Sequence, residues 1–175
     1  MRKGWFLTCC LAAPLLIASA LASPQAEPGK LVQQMGLKAG RWHTTGRIIS
    51  GQILPATPGS TVPDELQDQL RKKLGTSFET EDCIGSKRAN GDLILPGIKI
   101  ASDCLPIDAE ARGHTLRLKS TCGDGADGFK VKTEVQASYQ NTAMTARISV
   151  SAFSGGTGTM TKLELATSSK FVGTC

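Results

Sequence analysis

Two histidines, a pair of close aspartates, a glycine-rich turn and six cysteines are the residues of this chain that could do chemistry. A histidine acting as general base needs a nucleophile or water within hydrogen-bond reach and a third group to orient the ring. His43 follows Trp42 on an extended segment and so points away from it. His114 falls in the turn Ala111-Arg112-Gly113-His114. Neither spacing supplies a partner, and both read as surface histidines. Asp124 and Asp127 sit in Gly123-Asp124-Gly125-Ala126-Asp127-Gly128, but the D-x-[DN]-x-[DN]-G loop that wraps calcium is missing. Gly155-Gly156-Thr157-Gly158, with Thr161-Lys162 behind it, lacks the spacing of a phosphate loop and has no helix after it, so it reads as a β-turn. No G-x-S-x-G elbow occurs. The expectation is a protein that is not an enzyme, with no catalytic residue, metal or cofactor.

Cys83, Cys104, Cys122 and Cys175 follow a stretch that reads as a secretory leader. Arg2 and Lys3 form its basic start, Trp5 to Leu21 is largely apolar, and Ala20-Leu21-Ala22 is an A-x-A site. Cleavage is expected after Ala22. The apolar run is short for a membrane span and Pro14 interrupts it, so no transmembrane segment is expected after cleavage. Cys9 and Cys10 belong to the leader. An oxidising compartment, periplasmic or secreted, then makes the four later cysteines disulfide partners. Four cysteines allow three connectivities, and the sequence does not choose among them. Hairpin geometry around Gly113-His114 favours Cys104 with Cys122, which leaves Cys83 with Cys175. A zinc site of four thiolates would call for C-x-x-C pairs, and there are none.

Loss of the two basic leader residues takes the formal charge from +5 to +3. That excess is too mild for a nucleic-acid footprint. Arg117, Lys119, Lys130, Lys132, Arg147 and Lys162 are expected to share the outward face of neighbouring strands, where they read first as a solvated sheet face that resists edge aggregation and second as a patch for anionic lipid head groups or cell-wall polymers. No aromatics are interleaved with them, which argues against single-stranded nucleic acid.

These residues need elements to position them. Residues 23–40 form a lead-in segment, in part helical. Residues 41–175 form one antiparallel β domain. Arg41 to Ser50 is a first strand, and Ile53 to Pro63, with its three prolines, a loop. Asp64 to Leu74 is a helix: Leu66, Leu70 and Leu74 make one stripe, acids come early and bases late, and Gly75 follows. From Ser77 the period is two. Strands are expected at Phe78 to Ile84, Ile98 to Cys104, Thr115 to Cys122, Phe129 to Tyr139, Met144 to Val150, Thr159 to Thr167 and Ser169 to Cys175. Short turns between half-buried strands mean a mainly β fold, a curled antiparallel meander or small barrel of seven or eight strands. Closure toward a barrel would remove exposed edges.

The ordered cysteines and their flanks resemble the DUF3617 family of secreted bacterial proteins, whose function is not established. The carrying residues are Gly36-Leu37-Lys38-Ala39-Gly40-Arg41-Trp42, Glu81-Asp82-Cys83-Ile84, Ser102-Asp103-Cys104, Lys119-Ser120-Thr121-Cys122, Gly158-Thr159-Met160-Thr161 and the ending Ser168 to Cys175. His43 stands where that family often has glutamate, and the linker is less rich in methionine. Gly40-Arg41-Trp42 is also similar to the G-x-W of the first lipocalin strand, where the tryptophan packs at the closed end of a barrel.

The expected function is a non-catalytic envelope protein, a monomer, that binds a small apolar ligand or an envelope partner. Its site is expected on the concave side of the sheet, at Trp42, Phe129, Val131, Tyr139, Met144 and Ile148, with the helix at its mouth. The alternative is a structural or stress-related envelope protein that acts through its surface and has no pocket.

Overall fold

The alternating segments become one antiparallel sheet in a computed structural model. It describes residues 28–85, 91–104, 107–123 and 128–175. The leader through Ala22, Cys9, Cys10, Asp124 and Asp127 lie outside the described residues.

In chain order the elements are α1 (Pro28–Met35), β1 (Gly40–Pro55), α2 (Asp64–Lys73), β2 (Ser77–Ile84), β3 (Leu93–Leu95), β4 (Ile98–Ile100), β5 (Asp108–Arg112), β6 (Thr115–Cys122), β7 (Phe129–Gln140), β8 (Ala143–Ser154) and β9 (Thr159–Gly173). A 3-10 turn at Ser102–Cys104 precedes β5. The main sheet has seven strands in the order β2-β1-β9-β8-β7-β6-β5. Strands β5 to β9 form the expected meander, and β1 closes against β9 so that the first and last strands are neighbours.

The sheet stays open, with β2 and β5 as its edges and no β2–β5 pairing to make a barrel. The edges are blunted in another way. Edge strand β2 carries Glu79, Glu81 and Asp82, while β5 is five residues long with Asp108, Glu110 and Arg112. Charge and shortness discourage a further strand from adding to either edge.

Several boundaries differ from expectation. Strand β1 continues through Ile53 to Pro55, because Pro55 needs no amide hydrogen at a strand end. The expected breaks near Ser168 and Val150 vanish into the long strands β9 and β8. The expected strand Ile98 to Cys104 is instead the second arm of a small hairpin, β3–β4, outside the main sheet.

That hairpin and α1 cover the inner face at the end where β1 begins. Pro96 and Gly97 make its two-residue turn, and Gly97 takes φ +72°, as the third position of a type II turn requires. The turn lies on the sheet: a Cβ at Gly97 would meet Thr44 Cγ2 at 2.5 Å. The Gly97 amide donates to Asp82 Oδ2 at 3.2 Å. Leu31 and Met35 of α1 and Leu93, Leu95, Ile98 and Ile100 of the hairpin bury against Trp42, Leu116, Tyr139 and Met144. This is the hydrophobic core.

Two disulfides fasten the frame. Cys104 pairs with Cys122, Cα atoms 4.1 Å apart, and Cys83 pairs with Cys175, 6.0 Å apart. The second bond steps over β1, since Arg41 lies between Cys83 on one side and Gly173 on the other. Among the described residues, no helix is long and apolar enough to cross a membrane.

Candidate functional site

Register decides which residues share the inner face. Thr44, Ser169, Met144 and Tyr139 stand in one row across β1, β9, β8 and β7. Gly46, Thr167, Ala146, Ala137 and Leu116 form the next row, and Ile48, Leu165, Ile148, Val135 and Leu118 the one after. A bulge between Ile48 and Ser50 then re-phases β1, so that Gly51 and Ile53 rejoin the inner face opposite Leu163 and Thr161.

Four of the six residues expected to line a ligand site lie in the covered half. Trp42, Tyr139, Met144 and Ile148 are all buried. Trp42 has no exposed surface; its indole Nε1 donates to the Lys38 carbonyl at 2.9 Å, and its ring meets Phe171 edge-on at 6.2 Å. The Tyr139 hydroxyl donates to the Gly113 carbonyl at 3.1 Å, and burial pushes its pKa above the ordinary value. Thr44 Oγ1 donates to Ser169 Oγ at 2.8 Å. These residues hold the cover to the sheet and face no open space. Periodicity could place them on the inner face, but the pieces that cover them, α1 and a hairpin of three-residue arms, carry little periodic signal.

The other two, Phe129 and Val131, lie at the far end, where β1 finishes. There the inner face is open. Val131, Thr133, Val150, Ala152, Thr161 and Leu163 are half-buried, and Phe129 is 55% exposed. Among the described residues, only α2 crosses this region. It docks on β1 through Gly51, where a Cβ would lie 2.9 Å from Leu163 Cδ2 and 3.0 Å from Leu70 Cδ1. The absent side chain lets the helix approach. Yet no residue of α2 is buried, and Leu74 just beyond it is 37% exposed. The leucine stripe therefore covers the sheet incompletely.

Beside it runs a cleft of about 600 Å³, lined by Ile48, Ile53 and Leu163 of the sheet and Leu66 and Leu70 of the helix. Thr161 and Thr76 add hydroxyls, and Gln69, Lys72 and Lys73 stand at its rim. Apolar walls with few polar groups suit a small apolar ligand, and the volume is ordinary for such a site. Leu66 and Leu70 were legible as a helix stripe, but Ile53 was expected in a loop, and the bulge that turns it inward has no sequence signature.

The histidines are far from this cleft and from each other. His43 lies on the outer face between Glu79 and Glu81, at 4.0 and 3.9 Å. His114 is exposed in the β5–β6 turn, its ring edge-on to Tyr139 at 6.3 Å. No cluster of three or more His, Cys, Asp or Glu able to hold a metal occurs among the described residues. The six bases do share the outer face. Arg117, Gln136 and Arg147 are successive in one row, Lys119 faces Glu134, and Lys132 and Lys162 flank Ser151.

A family model described as a protein of unknown function, DUF3617, matches residues 37–175. No curated protein and no solved structure matches the chain.

Proposed function

The chain belongs to the DUF3617 family, whose members have no assigned function, and from this premise we propose that it is a non-catalytic binding protein of the cell envelope. It works in the periplasm or after secretion, as a monomer, and holds a small apolar ligand in the cleft between α2 and the open half of the sheet. One observation carries the reading. A leucine stripe on α2 lies over an apolar stretch of sheet without any of its residues being buried. In a protein that otherwise covers its inner face with α1 and β3–β4, this half keeps apolar surface available. The paired cysteines and the leader-like N-terminus support an oxidising compartment. The dispersed placement of His43 and His114 supports a non-catalytic role.

A fluorescent apolar probe such as N-phenylnaphthylamine, titrated into the mature protein without lipid, tests the cleft. Saturable binding is expected, and Leu70→Asp, compared well below its thermal midpoint because Leu70 also docks α2 on Gly51, should weaken it by about tenfold, or 1.4 kcal/mol. No saturable binding, or equal binding by the variant, sinks the reading. The second reading, an envelope protein that acts through its surface, draws on the burial of Trp42, Tyr139, Met144 and Ile148. It would gain if the probe found no site.

A further inference from the structure

The far end of the sheet exposes apolar side chains on both faces. On the inner face Phe129 is 55% exposed. On the outer face Phe153, Met160 and Leu54 form one row across β8, β9 and β1, each half-buried. The hairpin that joins β8 to β9 ends in Gly155-Gly156-Thr157-Gly158, which adds no charge and no bulk. Beside Phe153 in the register stands Lys130. Two residues back from the apolar row, on the same face, Lys132 and Lys162 flank Ser151.

We propose that this end docks on a lipid bilayer, with Phe129, Phe153, Met160 and Leu54 in the interface and the lysines at the head groups. A strand rises about 3.4 Å per residue, so the margin beyond Lys132 and Lys162, apolar at Phe153, Met160 and Leu54 and flanked by Lys130 at its β7 side, is about 7 Å deep. That matches the roughly 5–10 Å to which interfacial apolar faces sink. Lysines at that setback extend their stems along apolar surface and keep the ammonium groups among phosphates. A second copy fits less well, because meeting end to end would oppose lysine to lysine. The docking deepens the ligand reading by naming a bilayer as the source of the apolar molecule, and rests on that reading for this consequence alone.

Co-sedimentation of the mature protein with vesicles tests it, using phosphatidylcholine alone and phosphatidylcholine mixed with phosphatidylglycerol. Binding to both is expected, stronger to the anionic mixture. The pair Phe129→Ser and Phe153→Ser should lose binding at least tenfold, and Lys132→Gln with Lys162→Gln should remove the anionic preference. Gly156→Trp adds a gain-of-function arm. Among the described residues no atom lies within 4 Å of a Cβ there, and an interfacial tryptophan should tighten binding and blue-shift on vesicles. Protein that stays in the supernatant with both vesicles overturns the proposal. So does undiminished binding by the Phe pair, or self-association abolished by those same variants. Probe binding in solution should survive the Phe129 and Phe153 changes, so the docking and the ligand reading fail separately.

Discussion

Tyr139 shows how a single side chain links cover, sheet and pH. It is the only tyrosine of the chain, so phenolate absorbance reports it alone. Its hydroxyl donates to the Gly113 carbonyl, and desolvation raises its pKa. An unfolded chain releases this proton near pH 10, the ordinary value; the folded chain releases it later. The stability it contributes is therefore complete below pH 10 and is lost as pH rises through the folded value. Tyr139→Phe should cost about 1 kcal/mol in urea unfolding at pH 8, and the gap between the two proteins should narrow above pH 10. A spectrophotometric titration in which folded and unfolded chains ionise together would contradict the account. Gly40 makes a different residue-scale point. At φ +136°, its Cβ would lie 2.4 Å from the Gly173 carbonyl oxygen and 2.7 Å from the Phe171 ring. The glycine before Arg41-Trp42 thus lets the first strand pass close to the last one. The sequence put Trp42 in the first strand, on the concave side of the sheet; that a glycine and a C-terminal segment meet beside it required the register.

Among elements, legibility followed length and period. The α2 stripe and the alternation of β7 were plain because each repeats over several turns or pleats. The β3–β4 hairpin was legible only in part: Ile98 was expected to open a strand, but the all-apolar arm Leu93–Leu95 has no period and the Pro96-Gly97 turn was not expected to pair the two. Its importance is out of proportion to its size, because without it Trp42, Thr44 and Met144 would face solvent as an open half-barrel. With the hairpin in place, Trp42, Tyr139, Met144 and Ile148 are buried, and the open part of the inner face lies at the far end. Gly97→Ala measures how firmly the hairpin is seated. The substitution places a methyl against Thr44 on a backbone at φ +72°, and a cost of about 2 kcal/mol or more is expected from strain and overpacking together. Gly113→Ala is the control: its φ is +56° but no atom lies within 4 Å of the new Cβ, so only the backbone penalty of about 1 kcal/mol applies. Equal midpoints for the two variants in denaturant would mean that the hairpin yields without loss.

At the scale of the whole molecule, an open sheet must prevent its two edges from fraying, and the disulfides divide that task. Edge strand β2 pairs only with β1, and Cys83–Cys175 ties it to the chain end beyond β9, across the intervening strand. Edge strand β5 pairs only with β6, and Cys104–Cys122 pins the segment that leads into it. The loops closed are very unequal, with sequence separations of 92 and 18. Chain entropy alone then assigns about 4.5 kcal/mol to the first bond and about 3 kcal/mol to the second. Both figures are large against the roughly 5–15 kcal/mol that holds a domain folded. Replacing Cys83 and Cys175 by serine should therefore lower the thermal midpoint more than replacing Cys104 and Cys122. The two losses should also differ in kind. Opening the first bond frees the Cys83 end of β2 and the chain end beyond β9, beside Trp42 where β1 begins, so Trp42 fluorescence should become easier to quench while probe binding in the cleft, whose walls lie at the other end of β1, persists. Opening the second loosens β5 and the turn at Ser102–Cys104, on the opposite side of the sheet, and probe binding should persist at temperatures below the new midpoint. Hydrogen exchange gives the independent check: faster exchange confined to β2 in one variant and to β5 in the other is the expected pattern, and uniform acceleration through all seven strands would show that the bonds stabilise the sheet as one unit and do not guard its edges.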